Sequence, residues 1–121
     1  MTESHDLGQT GEERAANYLT EKGYRILWRN WKAGRLEIDI IAETDRFIVF
    51  AEVKTRSEDY LVKPSDAVTP EKQRSIIFAA ETFLKRYNVD KESRFDIITV
   101  IKNGKVYQIE HIEDAFYPTL R

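Results

Sequence analysis

The sequence predicts an α/β fold in which one mixed sheet is flanked by two helices. Three observations carry the prediction. Two segments repeat apolar residues at the 3.6-residue spacing of a helix, and five short segments rich in Ile, Val and Phe have strand character. Their order along the chain is α-β-β-β-α-β-β. At 121 residues and 41% hydrophobic, the chain has material for one core. Residues 1–6 are expected to be frayed and residues 7–121 to form a single domain.

The first helix is expected over Gln9 to Lys22, where Ala15, Ala16 and Leu19 follow Glu12 on one stripe and Gly23 closes the helix as its C′ residue. Arg25 to Trp28 is a short strand candidate, followed by a loop from Asn30 to Gly34. Leu36 to Ala42 and Phe47 to Lys54 are the clearest strands, joined by the polar stretch Glu43 to Arg46. Thr69 and Pro70 read as the N-cap and first residue of a second helix that buries Ile76, Ile77, Ala80, Phe83, Leu84 and Tyr87 and ends near Asn88. Phe95 to Lys102 and Val106 to Ile112 form a hairpin around Asn103-Gly104.

Composition narrows the chemistry. There is no cysteine, which excludes disulfides, thiolate nucleophiles and sulfur-bound zinc. Only His5 and His111 are present, so neither a His-rich metal site nor an ordinary Ser-His-Asp triad can be built; His111 is expected on a strand surface. No apolar run approaches the ~20 residues of a membrane span, and the N-terminus lacks a signal-peptide core. The expected location is the cytoplasm. The remaining catalytic material is carboxylate and lysine, with a hard metal ion.

That material concentrates between Leu36 and Lys54. Strict alternation puts Glu37, Asp39 and Ile41 on one face of the first strand, and Ile48, Phe50, Glu52 and Lys54 on one face of the second. With a two- or four-residue loop, Ala42 pairs with Phe47, Glu37 lies opposite Glu52, and Asp39 is diagonal to Glu52; an odd loop would reverse the faces. Facing acids repel and need a cation. Glu12, on the buried stripe of the first helix, is a fourth acid able to approach. Oxygen ligands of this kind suit Mg²⁺ or Mn²⁺, and carboxylates, a hard ion and a lysine together suit phosphodiester hydrolysis. The Glu-x-Lys spacing alone also fits a solvated face with an ion pair.

Gly11-Glu12, Ala15-Ala16, Gly23-Tyr24, Asn30-Trp31, Glu37-Ile38-Asp39, Glu52-Val53-Lys54-Thr55-Arg56, Thr69-Pro70-Glu71-Lys72-Gln73 and Arg94-Phe95-Asp96 occur in the order seen in the YraN family, which the chain resembles from about Leu7 to Ile112. That family resembles Holliday-junction resolvases and other PD-(D/E)XK endonucleases. The resemblance implies a restriction-endonuclease-like αβββαβ core with an extra C-terminal strand. It also implies that Asp39 and Glu52 ligate the metal, Lys54 positions the attacking water, and Glu12 assists. Glu37 matches the family but not the superfamily's catalytic set.

Supporting roles fall to Glu37, to Arg56, which continues the Glu52–Lys54 face, and to Gln73. Between Lys22 and Leu36 the chain carries basic residues and no acid, so Arg29, Lys32 and Arg35 are candidate phosphate contacts, with Trp28 and Trp31 as stacking platforms or core. Lys72 opens the second helix, where backbone N–H groups favour anions. The segment from Ser57 to Val68 is a candidate loop over the site. Nucleic acid, with DNA first, is the expected partner, no membrane is expected, and a resolvase-like activity calls for a homodimer. A non-cleaving nucleic-acid module and a protein-interaction subunit are the competing readings.

Overall fold

The computed structural model describes residues 3–57 and 68–118. Its elements are α1 (Glu3–Glu21), β1 (Arg25–Ala33), β2 (Leu36–Glu43), β3 (Phe47–Ser57), α2 (Pro70–Tyr87), β4 (Glu92–Asn103) and β5 (Val106–Phe116). The five strands form one sheet in sequence order. β1–β2, β2–β3 and β4–β5 are antiparallel, whereas β3 and β4 are parallel. A parallel pair needs a long crossover, and α2 is part of it. The predicted α/β class, with an αβββαβ core and an added strand, is the observed one.

The two helices pack on opposite faces. On one, Ala15, Ala16 and Leu19 of α1 meet Ile40, Ala42, Val49, Ala51, Ile98 and Val100. On the other, Ile76, Ala79, Ala80 and Phe83 of α2 meet Ile38, Ile41, Ile48, Phe50, Phe95 and Ile97. Small residues bring α1 close to the sheet: a Cβ added at Gly11 would lie 2.0 Å from Thr55 Oγ1 on β3. That contact fixes the height of Glu12, the next residue, above the strands.

The predicted punctuation of the helices is present. Gly23 has φ +95° and follows α1, with Tyr24 N–H donating to Leu19 O. Thr69 Oγ1 accepts from Lys72 N–H, Pro70 starts α2, and Asn88 caps its end in the left-handed region.

Several boundaries differ from expectation. α1 begins at Glu3 instead of Gln9, because a nucleated helix propagates at little cost beyond its apolar stripe. β1 continues to Ala33 through the expected Asn30–Gly34 loop, because Trp31 and Lys32 pair with Ile38 and Glu37. The β4–β5 turn is Gly104-Lys105, one residue later than expected, with Gly104 at positive φ and Asn103 paired with Val106. The candidate loop from Ser57 to Val68 lies largely outside the described residues.

Candidate functional site

The β2–β3 ladder is short. It joins Ile40 to Ala51, Ile41 to Phe50, Ala42 to Val49 and Glu43 to Ile48, so Ala42 meets Val49 and not Phe47. Four residues, Thr44 to Phe47, separate the last paired residues Glu43 and Ile48, one residue later on each side than expected, because Thr44 Oγ1 accepts from the Phe47 and Arg46 N–H groups and closes the turn there. The even length of this connection keeps the parity of the faces. The next pair in this register is Asp39 and Glu52, and there the strands part. β2 stays with β1 to Leu36, while β3 follows β4 to Ser57.

Asp39 sits in the crotch of this fork. Ile38 and Ile41 both pack on the α2 side, whereas Ile40 and Ala42 pack on the α1 side. Strict alternation therefore fails around Asp39, since Ile38 and Ile40, two residues apart, leave on opposite sides, yet Glu37 and Asp39 still border one hollow. Across from Asp39 on β1, Asn30 takes φ +54°, a conformation Asn tolerates better than most residues, and Trp31 and Trp28 on either side of it both reach Phe83 of α2. With β2 turned away, the Val53 N–H donates to Asp39 Oδ2 at 2.8 Å. The expected Glu37–Glu52 pairing is absent; Glu37 pairs with Lys32.

Glu52 is buried, 4% exposed, and hydrogen-bonds with the Asp39 carboxyl. Its Oε2 lies 3.8 Å from Lys54 Nζ and 3.5 Å from Lys72 Nζ. Burial, the hydrogen bond to Glu52 and repulsion by Glu52 push the Asp39 carboxyl up to about 8, against the pull of the Val53 N–H and Lys72. Glu12 approaches from α1, bonded to Asn30; burial and the Asp39 charge raise it above the usual carboxylate range, and Arg29 opposes the shift. Near neutral pH the raised Asp39 carboxyl keeps its proton beside Glu52. Among the described residues no three His, Asp or Glu side chains gather into a metal-binding group. Of the four expected acids, Asp39 and Glu52 bond directly, and Glu12 feels the charges of Asp39 and Glu37.

Other candidates scatter around the fork. Arg35, Glu37, Asp39 and Lys72 line one hollow of about 340 Å³ together with Leu36 and Ser75. Arg29 and Lys32 are exposed on β1. Arg56 donates to the Thr55 carbonyl. Gln73 turns away, its amide donating to Val68 O at 3.2 Å. Trp31 is core, 5% exposed, and Trp28 is 40% exposed against Tyr87 and Phe83.

Because Asp39 is raised, folding takes up a proton there between the unfolded carboxylate range and about 8. Stability from this group is complete below the unfolded pKa and lost as pH rises through the folded one. Asp39→Asn removes the repulsion, so its melting temperature should exceed wild type by several degrees at pH 8.5 and match it near pH 4, roughly 4 °C per kcal/mol in a domain this size. Thermal scans of both proteins across that range check it; a parallel pair of curves would refute the raised Asp39 carboxyl.

A second polar cluster lies on the α1 face, and here the sequence reading needs correction. His111 is not a surface residue: its side chain is 4% exposed, with Nε2 2.7 Å from Asp96 Oδ2 and Nδ1 3.0 Å from the Tyr18 hydroxyl. Asp96 is fully buried and also accepts from Arg94 Nε, Arg94 Nη2 and the Asp114 N–H. Burial pushes its carboxyl up, but these partners outweigh burial and hold it below the usual range.

The profile of the Uncharacterised protein family UPF0102 matches residues 11–100, a span that contains the whole fork. The chain belongs to this family. A UPF0102 protein of Phocaeicola vulgatus is 46% identical over 120 residues, 99% of either chain. One of Parabacteroides distasonis is 45% identical over 121 residues and 100% of both. A third, of Chlorobium phaeobacteroides, is 49% identical over 119 residues, 93% of this chain and 94% of its own. UPF0102 is the YraN family, and with the observed core it places the chain among PD-(D/E)XK-like, restriction-endonuclease-type folds. Among the described residues no helix is long and apolar enough to cross a membrane.

Proposed function

We propose that this chain is a Mg²⁺- or Mn²⁺-dependent nuclease that hydrolyses DNA phosphodiester bonds, with branched DNA as the first substrate to try. One observation carries the reading: at the fork the Asp39 and Glu52 carboxyl groups lie together, and Glu52 faces two lysine amines, Lys54 and Lys72. Family membership supports it through the nuclease-like fold.

The donor set fits a hard divalent ion. Asp39 and Glu52 offer oxygen only, and a cation would relieve the repulsion that now holds the Asp39 carboxyl up. These two residues would hold the ion. When bound, it supplies positive charge to the phosphate and acidifies water. Lys54, on the strand beside Glu52, is placed to orient a water. Lys72 stands at the positive end of α2 and at the rim of the hollow that Arg35 shares. There it meets a phosphate oxygen once Glu52 is otherwise engaged. Glu12, whose carboxyl the Asp39 charge helps to hold up, would assist from the α1 side. Arg29 and Lys32 hold the backbone of the nucleic acid farther along β1.

The test uses the purified chain with plasmid, linear, single-stranded and four-way-junction DNA, in Mg²⁺, in Mn²⁺ and in chelator. Cleavage of at least one substrate that requires the ion is expected. Salt-dependent binding without cleavage on any substrate would replace this reading with a non-cleaving module, and neither binding nor cleavage would favour an interaction subunit.

A further inference from the structure

The outward face of α2 carries Glu71, Arg74, Phe78, Glu81 and Lys85, each exposed and spaced three or four residues apart, so they form one straight stripe. Its charges read minus, plus, Phe, minus, plus. Reversed, the order is plus, minus, Phe, plus, minus. A stripe of this kind is complementary to itself in the antiparallel sense and repels itself in the parallel sense. Among the described residues none of the four charged side chains forms an ion pair within the chain. Phe78, at the centre of symmetry, is 63% exposed. Beside it lies a cavity of about 420 Å³ rimmed by Ile77, Tyr117 and Pro118, and Tyr117 is 66% exposed.

We propose that α2 is the contact between two copies of this chain, packed antiparallel about a two-fold axis at Phe78. Glu71 then meets the second copy's Lys85, Arg74 meets the second copy's Glu81, and each pair occurs twice. The two Phe78 rings stack at the axis, and Ile77 and Tyr117 close the apolar centre around them. An isologous contact of this kind closes at two copies. Helix rise puts the two Lys72 positions about 20 Å apart at opposite ends of the pair. The proposal stands whether or not the fork cuts DNA, because none of its residues belongs to the fork.

One helix per copy gives an interface at the low end of the usual size range, and its exposed ion pairs are screened by salt. Sedimentation equilibrium of the full chain should therefore show a reversible monomer–dimer equilibrium that weakens between about 50 mM and about 500 mM NaCl. Phe78→Asp should raise the dimer Kd at least about tenfold with an unchanged circular dichroism spectrum. Arg74→Glu and Glu81→Arg should each dissociate the dimer, and the double variant should restore it to near the wild-type Kd. A chain that stays monomeric at low salt overturns the proposal. So does a dimer insensitive to Phe78→Asp, or a double variant no better than its parents.

Discussion

Glu52→Gln should abolish ion-dependent cleavage, lowering the rate by at least about 10³-fold. The substitution keeps shape almost constant and removes one negative charge, so it tests electrostatics separately from packing. Glu52 is the hub of the fork: it hydrogen-bonds with Asp39 and attracts both Lys54 and Lys72. Without its charge, the fork loses half of its attraction for a divalent ion. Both amines can turn outward, since their side chains are 24% and 44% exposed, so little strain remains in the fold. Lys54→Ala should cost about 10²-fold or more, because it leaves the acid pair intact and removes the cation beside it. DNA binding should survive in Glu52→Gln, since a negative charge facing phosphate is gone. Rates on the substrate that wild type cuts, with binding measured on the same DNA, check both variants. Cleavage by Glu52→Gln within tenfold of wild type would place the chemistry elsewhere.

Glu52 and Lys54 were legible as a pair because β3 keeps strict alternation: Ile48, Phe50 and Glu52 all face the α2 side. α2 was legible from Thr69 to Asn88 because its caps are local chemistry within a few residues. Asp39 was legible as an acid near Glu52, but its setting was not. Alternation assumes that a strand keeps its neighbour, and β2 leaves β3 at Asp39. The hairpin register slipped because Thr44 closes the turn with its side chain, a choice that the polar run Glu43 to Arg46 leaves open. Lys72 was read as a phosphate contact, although in the folded chain it first answers Glu52, twenty residues earlier in sequence. His111 was misread because its partners lie 15 and 93 residues away, beyond any local pattern.

The residues that bind His111 make the largest stability prediction. Asp96→Asn should destabilise the fold by about 3–5 kcal/mol, the usual cost of removing one partner from a buried pair. The carboxylate is fully buried and is spent on both sides. Oδ1 accepts from Arg94 Nε and from the Asp114 N–H, and Oδ2 accepts from Arg94 Nη2 and lies on His111 Nε2. The Asp114 bond explains the local backbone, because the β4–β5 register shifts between Phe95 and Ile97 and Asp114 takes φ +54°. That bulge leaves an N–H without a ladder partner, and Asp96 satisfies it. Through Arg94 the same carboxylate reaches the Tyr24 hydroxyl, just after α1, and thus ties β5 to the start of β1. An Asn amide at this position turns a donor toward other donors and leaves the Arg94 charge, whose side chain is 9% exposed, with the more exposed Glu113 at 3.4 Å as its remaining carboxylate. The melting temperature should fall by roughly 12–20 °C at neutral pH. The pH dependence has a definite sign. Asp96 is depressed in the folded state, so its contribution is present above the unfolded carboxylate pKa and is lost as pH falls through the folded value. The gap between wild type and variant should therefore narrow in acid; the Asp39→Asn gap narrows there too, but with the variant as the more stable protein. Denaturant melts at neutral pH and below pH 4 check both parts, and a gap that stays constant with pH would remove the charge from the explanation. Cleavage measured well below the variant's melting temperature should survive, because the cluster lies on the α1 face and the Glu52–Lys72 contact on the other.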